Sequence, residues 1–87
     1  MTRDELKKQF SDLLNERYNI DIMGLDESTK AVDLAKLNQK LDSIEFLTFL
    51  FDAEDQLGVS LSEGINVNSD LKEIIDTIYN SYKEKNE

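Results

Sequence analysis

The stretch "SIEFLTFLFDAEDQL", residues 43 to 57, constrains the fold of this chain more than any other. Stepped at about 100° per residue, its side chains sort into three sectors. Phe46, Phe49, Leu50, Ala53 and Leu57 share one arc, which alone suffices to pack against two other helices. Glu45, Thr48, Asp52, Asp55 and Gln56 form a polar, mostly acidic face on the other side. Ile44, Leu47 and Phe51 make a second apolar group between these two, and Glu54 separates that group from the core arc. Gly58 stops the helix.

Two further helices supply the partners that the core arc needs. In "TRDELKKQFSDLLNERY", Thr2 and Glu5 have capping-box spacing, and Asp4 and Glu5 suit the positive end of the helix dipole. Leu6, Phe10, Leu13, Leu14 and Tyr18 recur at three- and four-residue intervals as one stripe. In "SDLKEIIDTIYNSYKEK", Ser69 reads as the N-cap, and Leu71, Ile74, Ile75, Ile78 and Tyr82 read as the core face. Lys83 and Lys85 complement the dipole at its end.

The connections are polar and aperiodic. Residues 19 to about 41 mix isolated apolar side chains with Asn, Asp, Gly, Ser and Thr, which favour turns. Ile20, Ile22, Leu25, Val32, Leu34 and Leu37 are expected to pin this long loop to the core. The second connection, "VSLSEGINVN", has room for one short helical turn. The expected fold is all-α: a small bundle of three principal helices plus a short fourth, with a long first loop. It forms a single domain over residues 1–87.

Composition narrows the function. The chain has no Cys and no His, so a thiolate nucleophile, a Cys-His or Ser-His-Asp site and a disulfide framework are all excluded. It is therefore expected not to be an enzyme. Asp21 and Asp26 do not follow the alternating ligand spacing of a calcium loop, and no metal site is expected. Nineteen acidic against ten basic residues give a net charge of −9, which would repel nucleic acid and anionic membranes and suit partners with basic surfaces. "MTRDELKKQF" has no signal-peptide pattern and no apolar run is of bilayer length, so a cytoplasmic monomer without membrane insertion is expected.

Asp42 and Ser43 stand at the start of the central helix. Both residue types are favoured N-caps, so spacing alone reads the pair first as a cap and leaves a chemical role for the hydroxyl open. Spacing also leaves open whether Ile44, Leu47 and Phe51 pack beneath the long loop or face a partner.

The run "DSIEFLTFLFDAEDQLGVSL", Asp42 to Leu61, resembles the acyl carrier proteins, and "SDLKEIIDTI" is similar to the closing helix of that family. The resemblance implies that Ser43 is the attachment site for 4′-phosphopantetheine, delivered from coenzyme A by a phosphopantetheinyl transferase, with Asp42 as the flanking motif residue. It further implies that the chain carries acyl groups as thioesters for fatty-acid, specialised lipid or polyketide-type synthesis. Partner enzymes with basic patches would meet Asp42, Glu45, Asp52 and Asp55, with Ile44, Leu47 and Phe51 as apolar contacts. Phe46, Phe49, Leu50, Ala53, Leu57, Ile74 and Ile78 would line the acyl cavity. The approach "LNQKLDS" lacks the family's Gly, and Thr48 stands where an acid is common, which points to a specialised carrier. Leu-Asp-Ser also occurs in D-alanyl carriers, so an aminoacyl cargo is one alternative. An unmodified acidic helical adaptor is the other.

Overall fold

The computed structural model describes residues 1–86. Three long helices form the bundle: α1 over Arg3–Tyr18, α3 over Ser43–Leu57 and α4 over Leu71–Asn86. A 3-10 turn at Ile22–Gly24 and a single-turn helix, α2, at Ala31–Leu34 lie within the long first connection. The described residues contain no strand, only an isolated antiparallel bridge between Lys30 and Asp70.

Each long helix begins where its cap chemistry dictates. At α1 the Glu5 amide donates to the Thr2 hydroxyl and the Thr2 amide donates back to the Glu5 carboxylate at 2.9 Å, completing the capping box. At α4 the cap is Asp70, whose carboxylate accepts from the Glu73 amide at 2.8 Å. Ser69, the residue expected there, is instead buried, and its hydroxyl accepts from the Asn66 amide. α1 ends on Asn19 and α3 on Gly58, both in the left-handed conformation that closes a helix.

The short helix lies in the first connection, not in "VSLSEGINVN", which forms only turns. One helical turn has no period of its own, so long-range pairing places it. The Ala31 and Val32 amides, which begin α2, donate to the carbonyls of Ser69 and Val67 at 2.8 Å each. In return the Leu71 and Lys72 amides, which begin α4, donate to Thr29 and Glu27 carbonyls at 2.9 Å. The initial amides of each helix are thus satisfied by the segment leading into the other.

The core joins Leu6, Phe10 and Leu14 of α1 with Phe46, Phe49, Leu50 and Ala53 of α3 and Leu71, Ile74, Ile75 and Ile78 of α4. Ile20, Ile22 and Leu34 pin the first connection as expected, with Leu25 half-buried, but Val32 and Leu37 stand in solvent. Leu41, just before the Asp42–Ser43 pair, is buried and anchors the approach to α3. A charge cluster ties the earlier part of this connection to α1, and α1 to α4. Glu27 accepts from Arg3 at 2.7 and 3.1 Å and from Lys7 at 2.9 Å, while Arg3 also donates to Asp76 of α4 at 2.7 Å. Those partners hold the Glu27 carboxyl down at about 2.

Candidate functional site

At the start of α3 the two candidate residues divide the work. Asp42 is the N-cap: its side chain accepts from the Glu45 amide at 2.8 Å, and its carbonyl accepts from the Phe46 amide at 2.8 Å. Ser43 is therefore the first helical residue. Its side chain is exposed, and no hydrogen bond to another described residue engages its hydroxyl. The expectation that Ser43 shares in capping is corrected, because the carboxylate one position earlier already takes the amide that a serine cap would need. The Ser43 and Ile44 amides are first-turn donors without an intrahelical acceptor, and they lie beside the hydroxyl.

The faces of α3 follow the sectors expected from the sequence. Phe46, Phe49, Leu50 and Ala53 are buried and Leu57 is half-buried, and Ile74 and Ile78 of α4 are buried with them. Ile44, Leu47 and Phe51 are 76, 44 and 58% exposed, so the long loop does not cover them. They form an apolar strip that starts next to Ser43.

The acidic face is less free than its sequence suggests. Glu45 is half-buried and accepts a 2.7 Å hydrogen bond from the Tyr18 hydroxyl. Burial, with the Glu45 carboxylate against it, pushes the Tyr18 phenol up to about 12. Asp52 accepts from the Arg17 guanidinium, which lies over the Phe49 ring at 5.9 Å. Asp42 is committed to its cap. Asp55 is exposed and, among the described residues, makes no side-chain hydrogen bond or ion pair.

Two acidic residues matter structurally in ways the sequence does not announce. Glu54 accepts from the Leu61 and Ser62 amides at 2.7 and 3.0 Å and from the Ser62 hydroxyl, tying the second connection to α3. The two amides hold its carboxyl below the usual range. Glu27 ties the first connection to α1 through Arg3 and Lys7. Neither set of partners follows from a short-range pattern. Elsewhere, a polar groove of about 280 Å³ lies past the C-terminal end of α3, lined by Ser60, Thr77, Asn80, Ser81, Glu84 and Lys85. Among the described residues, no helix is long and apolar enough to cross a membrane, and no three His, Cys, Asp or Glu side chains gather to hold a metal ion.

No protein-family model, curated protein or solved structure matches the chain. The structure establishes a small all-α bundle, with Ser43 exposed at the head of its central helix.

Proposed function

We propose that this chain is a carrier protein whose prosthetic arm, 4′-phosphopantetheine, is attached to Ser43. The observation that carries the reading is the state of the Ser43 hydroxyl: exposed, released from capping by Asp42, and engaged by no described residue. Ser43 suits modification because a transferase can reach it without disturbing a hydrogen bond of the fold. The residues around it fit a phosphodiester. The Ser43 and Ile44 amides and the positive end of α3 would face its anionic oxygens. A chain with no cysteine would gain from the arm the thiol on which acyl groups travel as thioesters.

In the transfer, the Ser43 oxygen forms a bond to phosphorus and loses its proton. The bond from that phosphorus to the nucleotide part of coenzyme A breaks, and adenosine 3′,5′-bisphosphate leaves. Ile44, Leu47 and Phe51 would then give the transferase and the acyl-loading enzymes an apolar footing beside the serine. Asp55 is the carboxylate on this helix that a basic partner can engage without first breaking a contact inside the bundle.

The test is incubation with coenzyme A and a broad-range phosphopantetheinyl transferase, followed by intact-mass measurement. The expected result is the gain of one phosphopantetheinyl group on the wild type and none on Ser43→Ala. If the wild type gains no mass, or Ser43→Ala gains as much, the unmodified adaptor reading takes its place.

A further inference from the structure

We infer that the cargo of this carrier stays outside the helical bundle, which restricts it to short-chain or polar acyl groups, aminoacyl groups among them. The inference rests on the carrier reading of Ser43. A chain tethered there and turned inward along α3 meets Phe46 one turn on, then Phe49 and Leu50 on the next. All three are buried, with exposures of 2, 1 and 0%.

Phe49 is held on several sides. The Phe10 ring meets it edge-on at 5.5 Å and the Tyr18 ring at 5.7 Å. Tyr18 is in turn fixed by its hydrogen bond to Glu45, and Arg17, over the Phe49 ring, by its pair with Asp52. Moving Phe49 aside to admit a chain would disturb the Tyr18–Glu45 and Arg17–Asp52 contacts together, in an interior packed too closely to absorb the displaced ring. A polar cargo would find no partner inside either. Every buried side-chain nitrogen or oxygen among the described residues already has a hydrogen bond, Ser11 with Asp21 and Ser69 with Asn66 being two.

Outside, Ile44, Leu47 and Phe51 offer apolar contact over only about 12 Å of helix from Ser43. A longer chain would overrun the strip and expose apolar surface to water in proportion to its length.

The test does not depend on the transferase. Ser43→Cys gives the chain a single thiol at the proposed attachment point. Alkyl groups from methyl to dodecyl can then be attached there as mixed disulfides. The expected result is no nuclear Overhauser contact between any alkyl chain and the Phe46 or Phe49 rings, and a Tm that stops rising once the chain is long enough to cover the exposed strip. Contacts to those rings, or a Tm that goes on climbing up to dodecyl, would overturn the inference. If coenzyme A and the transferase modify Ser43 while dodecyl enters the core, only the cargo assignment fails. If the transferase leaves Ser43 unmodified, the carrier reading fails and takes this inference with it, whatever the alkyl series shows.

Discussion

Replacing Asp42 and Ser43 one at a time separates the cap from the exposed hydroxyl. Asp42→Ala removes the 2.8 Å acceptor of the Glu45 amide. Losing such a cap costs about 1 kcal/mol. The carboxylate also sits at the positive end of α3, and its charge adds about 0.3–1 kcal/mol at low salt. The two contributions together predict a loss of about 1.5 kcal/mol, or roughly 6–12 °C in Tm at about 4–8 °C per kcal/mol for a domain of this size. Asp42→Asn keeps the acceptor and should lose only the charge contribution, and that loss should fade in high salt. Ser43→Ala removes no hydrogen bond and introduces a better helix former, so its effect lies between no change and a gain of about 0.5 kcal/mol. Urea unfolding of the four proteins at constant m-value measures all of these. A loss of about 1 kcal/mol or more in Ser43→Ala would mean that the hydroxyl serves the fold, and would refute the division of labour between Asp42 and Ser43.

Glu27 should give the fold a pH dependence. Its folded carboxyl, at about 2, lies below the ordinary 4.5, so its stabilisation is complete above 4.5 and is lost as pH falls toward 2. Discounted for its partial exposure, that contribution is about 1–2 kcal/mol, so the stability gap between wild type and Glu27→Gln should be widest at neutral pH and shrink below pH 4.5 in urea titrations. Phe49→Leu, which removes two edge-to-face ring contacts, should cost about 2 kcal/mol, whereas Phe51→Ala on the exposed strip should stay within about 0.5 kcal/mol. Equal losses at the two positions would contradict the assignment of faces on α3. Gly58→Ala should cost about 1 kcal/mol because its φ of 68° penalises any Cβ, although a methyl there would touch nothing within 4 Å. Asp55→Lys should slow Ser43 modification, most at low salt, while leaving the unfolding midpoint nearly unchanged. An unaltered modification rate would remove Asp55 from the docking surface.

The three long helices were legible because each repeats its apolar residues over three or more turns, and the division of α3 into two apolar groups follows from the same 100° step. Caps were legible only to within one residue. At "DS" the cap is the first residue and at "SD" the second, so in both places Asp42 or Asp70 caps where the adjacent serine could have. Which of two neighbouring favoured residues takes the extended conformation depends on how the incoming loop reaches the helix, and here Leu41 and the backbone of residues 27–31 set that approach. Helix α2 was illegible for a related reason, since its first amides depend on carbonyls nearly forty positions away. Val32 and Leu37 read as core residues because they are apolar, but α2 turns only Ala31 and Leu34 inward, and Leu37 lies beyond its end in solvent. The commitment of Glu45 to Tyr18, and of Asp52 to Arg17, likewise depends on α1 crossing α3 where it does.

The exchange of carbonyls between the starts of α2 and α4 has a kinetic consequence. Two connections far apart in sequence share four hydrogen bonds, so neither can open without stripping acceptors from the other. The amides of Ala31, Val32, Leu71 and Lys72 should therefore exchange with solvent at a common rate, as one opening unit. That unit would hold the long connection in place up to Leu41. The segment that leads into Ser43 would then have the persistence of the bundle and not of a free loop, and the hydroxyl would be presented to solvent in one fixed position.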